Sequence, residues 1–280
     1  PAEMRAVVFD DAGAPDVLRE ATVPVPAPVL SELLVRVVAA GINPIDAKTR
    51  GGRGVSSAID RFPSTLGFDF SGVVVTAPYE SNPLAPGTEV FGMVPFPRSG
   101  GTYAEYAVVP SLSVARKPAS LSHVEAAGVP LAALTAWGLV VETAHAHEGQ
   151  RMLIHAGSGG VGHFAVQLAA YFGAHVTATG SAGNLPWLRE LGASVVIDYA
   201  TTRFEDVVGE VDVVWPELLS RLVAGSGACA RAAGPATGTG RTVRHRPHGD
   251  HPPMPHRNAP RSRWPVGSGG GRSADTAPSR

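Results

Sequence analysis

The chain has 280 residues, of which 44% are hydrophobic, and a formal net charge of −1. This length suits two domains with buried cores. The absence of a run of about eighteen apolar residues, and of a charged segment followed by an apolar one near the start, excludes membrane-spanning and exported classes, so we expect a cytoplasmic protein. The single cysteine, Cys229, excludes intrachain disulfides and a zinc site built from several cysteines.

The first 120 residues have the pattern of an antiparallel β-domain. Short apolar and β-branched segments are separated by turns rich in proline and glycine. The predicted strands are residues 4–9, 33–40, 70–76, 89–94 and 103–109. Their irregular spacing predicts a partly open β-barrel.

A helical region follows, between residues 122 and 144. Apolar residues recur there at helical spacing, and Ser122 and Glu125 form a capping-box pattern. We expect one or two helices that lead into a parallel sheet.

Residues 151–179 contain a strand, a glycine-rich turn, a helix and a second strand without interruption. Gly157, Gly159 and Gly162 have the G-x-G-x-x-G spacing, which allows a tight turn, a close approach to a pyrophosphate and packing of helix on strand. Gly160 gives the turn further freedom. Free N–H groups at the start of the helix would face a diphosphate. The segment predicts a dinucleotide-binding unit, and the alternative is a glycine-rich surface loop.

The end of the second strand bears on which dinucleotide is bound. NAD-selective sites place Asp or Glu there, whereas this chain has Gly180 and Ser181. Ser181 and Asn184 are small and neutral and can donate hydrogen bonds to a 2′-phosphate, which a carboxylate would repel. This favours NADPH. The alternative is that the two side chains cap the next predicted helix, residues 185–191.

Taken together, these stretches resemble a known family. The segments that carry the resemblance are residues 40–52, 64–74, 101–110, 126–137 and 155–162. Their order and spacing are similar to those of the medium-chain dehydrogenase/reductases, and within them to the zinc-independent quinone oxidoreductase branch. The resemblance implies an α/β protein with a GroES-like catalytic domain (1–121) and a Rossmann-like NADP-binding domain (122–214). It also implies hydride transfer from NADPH to a quinone or an α,β-unsaturated carbonyl.

The resemblance implies roles for three residues in the cleft between those domains. Asn43 and Asp46 resemble the residues that lie beside the nicotinamide ribose, and both are candidate catalytic residues. Thr135 resembles the contact to the nicotinamide or a phosphate. For Asn43 the alternative is a helix N-cap before Pro44.

The resemblance extends to the rest of the cofactor. Gly160 and Val161 would bind the diphosphate through their backbone N–H groups, and Ser181 and Tyr199 resemble positions at the adenosine 2′-phosphate. No Lys or Arg lies between Ser181 and Trp187, where this branch often has one. Tyr199 could equally be an amphipathic surface residue.

Zinc alcohol dehydrogenases of this fold bind their metal through Cys and His. In this chain, residues 41–46 (GINPID) contain no Cys, and Phe68 stands where a His would be. No metal site is therefore predicted. The cofactor then carries the chemistry, and the proton comes from solvent or a weak donor. Asp69 and Tyr103 are the candidate donors, although Asp69 could instead be a structural partner for backbone amides.

Residues 215–280 have a different composition, with ten Arg, ten Gly, nine Pro and only six Leu, Ile, Val or Phe. Their net charge is +7, against −8 for residues 1–214. Such a segment cannot bury a core, so we expect a disordered tail and a reductase truncated or frameshifted after about residue 214. The family's homodimer is then not expected, and activity could be lost.

Two other functions stay open. One is an NADPH-binding protein without turnover, for example a redox sensor. The other is an arginine-rich tail that binds nucleic acid or an acidic partner, although the tail contains no nucleic-acid-binding motif.

Overall fold

The computed structural model describes residues 1–97 and 101–215. The predicted disordered tail lies outside these residues, apart from Trp215. The strands are β1 (Glu3–Phe9), β2 (Arg19–Pro24), β3 (Glu32–Ala40), β4 (Ser64–Thr65), β5 (Asp69–Thr76), β6 (Glu89–Met93), β7 (Tyr106–Pro110), β8 (Val114–Arg116), β9 (Arg151–Ile154), β10 (His175–Gly180), β11 (Val195–Asp198) and β12 (Val213–Trp215). The α-helices are α1 (Pro44–Arg50), α2 (His123–Ala127), α3 (Pro130–Trp137), α4 (Gly162–Tyr171), α5 (Leu185–Glu190) and α6 (Phe204–Val207), with a π-helical segment at Gly138–Thr143.

The first part of the chain forms antiparallel sheets. Five strands pair in the order β7-β3-β5-β6-β8, and β1 pairs with β2 and β4 in a smaller sheet. Register shifts in β3, between Val37 and Ala39 for example, are the irregularities that bend a strand and curl its sheet. Alternating residues of the strands, such as Leu33, Val35 and Phe70, are fully buried and form the core. The prediction of a partly open β-barrel is confirmed.

The second part forms a parallel sheet with helices packed on it. Its order is β11-β10-β9-β12, so the chain crosses from β9 through α4 to β10 and returns past β9 to β12. Apolar side chains of the strands, such as Met152 and Val176, pack with Val166 of α4 and Leu188 of α5. This arrangement confirms the Rossmann-like sheet. It also places the carboxyl ends of β9 and β10 side by side, with the glycine turn directly after β9.

Some predicted boundaries were wrong. β7 begins at Tyr106 instead of residue 103, because the N–H of Tyr103 donates to the carbonyl of Leu66 and does not pair along that strand. The sheet extends through Trp215, which pairs with Ile154 and is 7% exposed, so the first residue assigned to the tail belongs to the fold.

Some elements had no prediction. β2 is half-exposed along its length and β8 has only three residues, so neither stands out as an apolar run.

No helix within residues 1–97 and 101–215 combines the length and the apolarity that a bilayer crossing requires.

Candidate functional site

The glycine turn, residues 155–162, joins the end of β9 to the start of α4. The N–H of Gly157 donates to the carbonyl of Thr179 at 2.8 Å, which ties the turn to β10. At Gly162 an added Cβ would lie 2.1 Å from the carbonyl oxygen of Ala156, so only glycine fits. Gly157 is also tight, because its Cβ would lie 3.0 Å from side-chain atoms of Ala178 and Leu188. Close packing of turn, strand and helix therefore requires glycine at position 162 and leaves little room for a side chain at position 157.

The outer part of the same turn is open. The backbone N–H groups of Gly160 and Val161 donate no hydrogen bond to any residue that the structure describes. An added Cβ at Gly160 would meet no atom within 4 Å. Directly after them α4 begins, and a helix start favours an anion. Unused donors, open space and a helix start fit a diphosphate, so the predicted residues suit the predicted group.

Beside the turn, three polar side chains form a cluster at the end of β10. The side-chain amide of Asn184 donates to the hydroxyl oxygens of Ser158 and Ser181, each at 3.1 Å. Neither Ser181 nor Asn184 makes a side-chain cap, although each occupies the N-cap position of a short helix. A hydroxyl that accepts a hydrogen bond keeps its own hydrogen to donate, so both serines can donate to an anion. Ser158 lies between the motif's glycines, and sequence reasoning missed it.

Tyr199 lies next to this cluster in the fold. Its N–H donates to the carbonyl of Gly180 at 3.3 Å, so its backbone is held at the end of β10. Its side chain is 64% exposed, which is compatible with both a ligand contact and a surface position.

A second group of predicted residues lies in the antiparallel part, and we call Asn43, Asp46, Asp69 and Tyr103 the carboxylate cluster. Asn43 occupies the N-cap position of α1, as the alternative interpretation had it. The Asp46 carboxylate accepts from the N–H of Asn43 at 2.8 Å and from that of Gly67 at 3.2 Å. Asp46 is 3% exposed, and this burial raises the pKa of its carboxyl group. Both oxygens are thus used inside the protein.

Asp69 is buried more completely, at 1% exposure, and is bound on both sides. One oxygen accepts from the side-chain amide Nδ2 of Asn43 at 2.9 Å, and the other from the backbone N–H of Leu131 in α3 at 3.0 Å. Burial raises the pKa of Asp69 to about 6 against these two hydrogen bonds, which lower it, and the charge of Asp46 raises it slightly further. The carboxylate therefore links the start of α1 to the start of α3.

The Tyr103 hydroxyl is buried close to Asp46, but it makes no hydrogen bond of regular geometry. Burial and the nearby charges of Asp46 and Asp69 raise the pKa of this phenol. The proton consequently stays on the oxygen throughout the physiological pH range.

Helix α3 connects the carboxylate cluster to the glycine turn. Its Thr135 hydroxyl donates to the carbonyl of Leu131 at 2.7 Å, one turn earlier, and Leu131 is the residue whose N–H binds Asp69. The helix also packs against α4, which follows the turn. The structure thus brings Thr135, Asn43 and the turn into one connected framework.

Two other features bear on the site. Within residues 1–97 and 101–215, no three His, Cys, Asp or Glu side chains come together as a metal site would require. Phe68, where zinc enzymes of this fold have a histidine, is fully buried in an apolar cluster with Ile45 and Val94. At this position the fold has core packing in place of a ligand.

A cavity of about 340 Å³ opens at the other end of the parallel sheet, lined by Arg151, His175, Val195 and residues 207–211 among others. It lies where the strands begin, whereas open α/β sheets bind ligands at the carboxyl ends of their strands. The cavity is therefore separate from the predicted site.

Comparison with known proteins shows which family has this fold. Residues 30–119 match the family model of the alcohol dehydrogenase GroES-like domain. Over 224 residues, the chain is 41% identical to 2-methylene-furan-3-one reductase of Solanum lycopersicum, covering 77% of this chain and 57% of the relative. It is 38% identical over 223 residues to the chloroplastic NADPH-dependent alkenal/one oxidoreductase of Arabidopsis thaliana, with the same two coverages. The chain thus spans little more than half the length of these relatives.

Among solved structures, the fold is similar to that of the quinone oxidoreductase from Coxiella burnetii. The TM-score is 0.70 and the sequence identity 40%, and the match covers 76% of this chain and 68% of the other.

Proposed function

The chain belongs to the medium-chain dehydrogenase/reductase superfamily, and we propose that it binds NADPH and reduces a quinone or an α,β-unsaturated carbonyl compound. The observation that carries the proposal is the outer glycine turn, where the N–H groups of Gly160 and Val161 have no partner among the described residues and Gly160 borders open space ahead of α4. The activities named for the relatives support the substrate class, since they include an alkenal/one oxidoreductase and quinone oxidoreductases.

The turn would hold the diphosphate through the N–H groups of Gly160 and Val161. Ser158 and Ser181, held by Asn184, would donate their hydroxyls to the 2′-phosphate end, beside Tyr199. A neutral cluster without a carboxylate favours NADPH over NADH because it does not repel the added phosphate. The selectivity it gives is smaller than that of a site with a cation.

In the cleft, Asn43 and Thr135 would orient the nicotinamide end. The bound cofactor supplies the hydride, and the protein supplies proximity and orientation. Asp46 and Asp69 use both carboxylate oxygens internally, so we assign them to positioning. Because the Tyr103 hydroxyl is buried, we propose that the proton arrives from water.

The test is oxidation of NADPH, followed by its absorbance, with a panel of quinones and enones. Binding of NADP⁺ and NAD⁺ to the same preparation is measured by quenching of tryptophan fluorescence. Turnover with tighter binding of NADP⁺ is the expected result. Binding without turnover would favour the alternative of a dinucleotide-binding protein, and a folded chain that binds neither dinucleotide would refute the proposal.

Other features of the chain remain predictions. These are the domain boundary at residue 121, a cytoplasmic location and the absence of the family's homodimer. The location is open because the Arabidopsis relative is chloroplastic.

A further inference from the structure

Asp69 contacts both the N-cap residue of α1 and the start of α3, and it is almost completely buried. Its two oxygens are divided between the Asn43 side chain and the backbone of α3, at 2.9 and 3.0 Å. The residue is 1% exposed, so it is too deeply buried to contact a substrate.

The chemistry of the two partners fixes the orientation of the Asn43 amide. An ionised carboxylate only accepts hydrogen bonds, so Asn43 must present Nδ2 to Asp69. Its other amide atom, the oxygen Oδ1, is thereby turned away from Asp69. The capping box of α1 directs this oxygen toward the N–H of Asp46. An amide oxygen has two lone pairs, so the second can accept a hydrogen bond from a hydroxyl group of a ligand.

Protonation of Asp69 would reverse this orientation. The N–H of Leu131 requires an acceptor, so the proton would sit on the oxygen that faces Asn43. An O–H at that position donates, and Asn43 would have to turn Oδ1 inward and its NH₂ group outward. The same reversal follows from the substitution Asp69→Asn. The amide oxygen would accept the hydrogen bond from the Leu131 N–H, and the NH₂ group would face Asn43.

We propose that Asp69 is a positioning residue that sets the hydrogen-bond polarity of the Asn43 amide, so that Asn43 accepts a hydrogen bond from a hydroxyl of the bound nicotinamide nucleotide. The inference rests on the proposed function for the identity of that ligand. The groups that face Asp69 are the Asn43 amide from the start of α1 and the Leu131 N–H from α3. The charge of Asp46 acts on it as well, and the Tyr103 phenol lies close enough to interact with both carboxylates. The raised pKa of Asp69, about 6, puts the reversal within an accessible pH range.

The first test compares Asp69→Asn with the double variant Asn43→Asp/Asp69→Asn in the full chain. The single variant should bind NADP⁺ about tenfold more weakly, as expected for one hydrogen bond to a charged or polar group. In the double variant, the side-chain amide introduced at position 69 donates to the carboxylate introduced at position 43, whose other oxygen can accept from the ligand. Its affinity for NADP⁺ should therefore return most of the way to the wild-type value. Asp212→Asn is the matched control, because Asp212 also accepts a backbone N–H, from Arg151 at 2.8 Å, but at the other end of the sheet. It should bind as the wild type does.

The second test is a pH series with NAD⁺, which is stable in acid and lacks the 2′-phosphate that itself titrates in this range. Wild-type affinity should fall below about pH 6, whereas Asp69→Asn should show no such inflection. A folded Asp69→Asn variant with wild-type affinity and a wild-type pH profile would overturn the inference. If that variant does not fold, a flat wild-type profile between pH 5 and 8 would overturn it equally.

A third measurement separates this inference from the proposed function. In the free protein, the NMR signals of the Asn43 side-chain amide should shift with pH around 6. If the wild type binds no dinucleotide, the proposed function fails, but this titration still tests the link between the two side chains. Signals that do not move would refute the link.

Discussion

The glycine turn and the carboxylate cluster use polar groups in opposite ways. In the outer turn, the N–H groups of Gly160 and Val161 donate to no residue that the structure describes, and Gly160 borders open space. In the cluster, Asp46 and Asp69 are almost fully buried, and each of their oxygens has a partner inside the protein. This contrast supports our proposal that the turn contacts the ligand and that the cluster holds in place the residues that do.

The difference separates residues that bind from residues that position. Backbone donors need only a turn of the correct shape, and glycines at fixed spacing provide it. Buried carboxylates need a complete surrounding structure, because an unpaired buried charge is costly. Substitutions in the two regions should therefore have different effects on stability and on binding.

The largest effect is expected from Gly162→Ala. Its Cβ would lie 2.1 Å from the Ala156 carbonyl oxygen, and backbone atoms cannot move aside without distorting the turn. We expect a loss of more than about 3 kcal/mol in the free energy of unfolding, together with loss of dinucleotide binding. Gly160→Ala is the matched control, because its Cβ meets no atom within 4 Å. It should change stability by less than about 0.5 kcal/mol and weaken binding only.

Urea denaturation and fluorescence titration measure both quantities. Equal losses of stability in the two variants would contradict the packing, in which position 162 has no room for a side chain and position 160 is open.

The sequence predicts the turn better than the cluster, for a physical reason. Gly157, Gly159, Gly160 and Gly162 are local in the chain, so their spacing alone indicates a strand-turn-helix unit. Asp69 and Leu131 are 62 positions apart, and nothing local shows that a carboxylate on β5 meets the N–H of α3. Asp69 could thus be named as a candidate, but not as a residue that turns the Asn43 amide.

The same reasoning explains smaller differences. Ser158 had no prediction because its partner, Asn184, is 26 positions away. Strand β9 was predicted because Met152, Leu153 and Ile154 form the continuous apolar run that is typical of a buried parallel strand. Strand β2 was missed because its residues alternate between exposed and half-buried.

The next effect in size is expected from Asp46→Ala. The change leaves the N–H groups of Asn43 and Gly67 without their acceptor in a buried setting. We expect the free energy of unfolding to fall by up to about 3 kcal/mol. The decrease is partly offset because the variant no longer has to bury the charge of the carboxylate. Thermal and urea unfolding at pH 7.5 measure it. If stability did not change, water would be satisfying the two donors, and the cluster would be more open than its burial indicates.

The pH dependence of stability tests Asp69 without any ligand. Its folded-state pKa, about 6, lies above the value near 3.9 of an unfolded chain. Between these values the folded state binds more protons, so this group lowers the free energy of unfolding as pH rises from about 4 to 6. The full effect is at most about 3 kcal/mol at neutral pH.

Asp69→Asn should remove this component, which makes the variant no less stable than the wild type at pH 7.5 although it binds more weakly. Urea unfolding of both proteins between pH 4 and 8 checks the sign. A variant that is less stable at neutral pH would indicate that Asp69 mainly supports the fold.

The smallest effect is expected at the other end of the site, from Gly183→Lys. An added Cβ at Gly183 would meet no atom within 4 Å, and the residue is exposed in the short helix between Ser181 and Asn184. A lysine there would place a cation near the neutral hydroxyls that we assign to the 2′-phosphate. An exposed ion pair contributes about 1 kcal/mol or less, so the preference for NADPH over NADH should rise by up to about fivefold and decrease with added salt. Gly183→Gln controls for side-chain length and for the loss of glycine, which affect both cofactors alike. An equal gain with Gln, or an equal gain for NADH, would show that this region does not contact the phosphate.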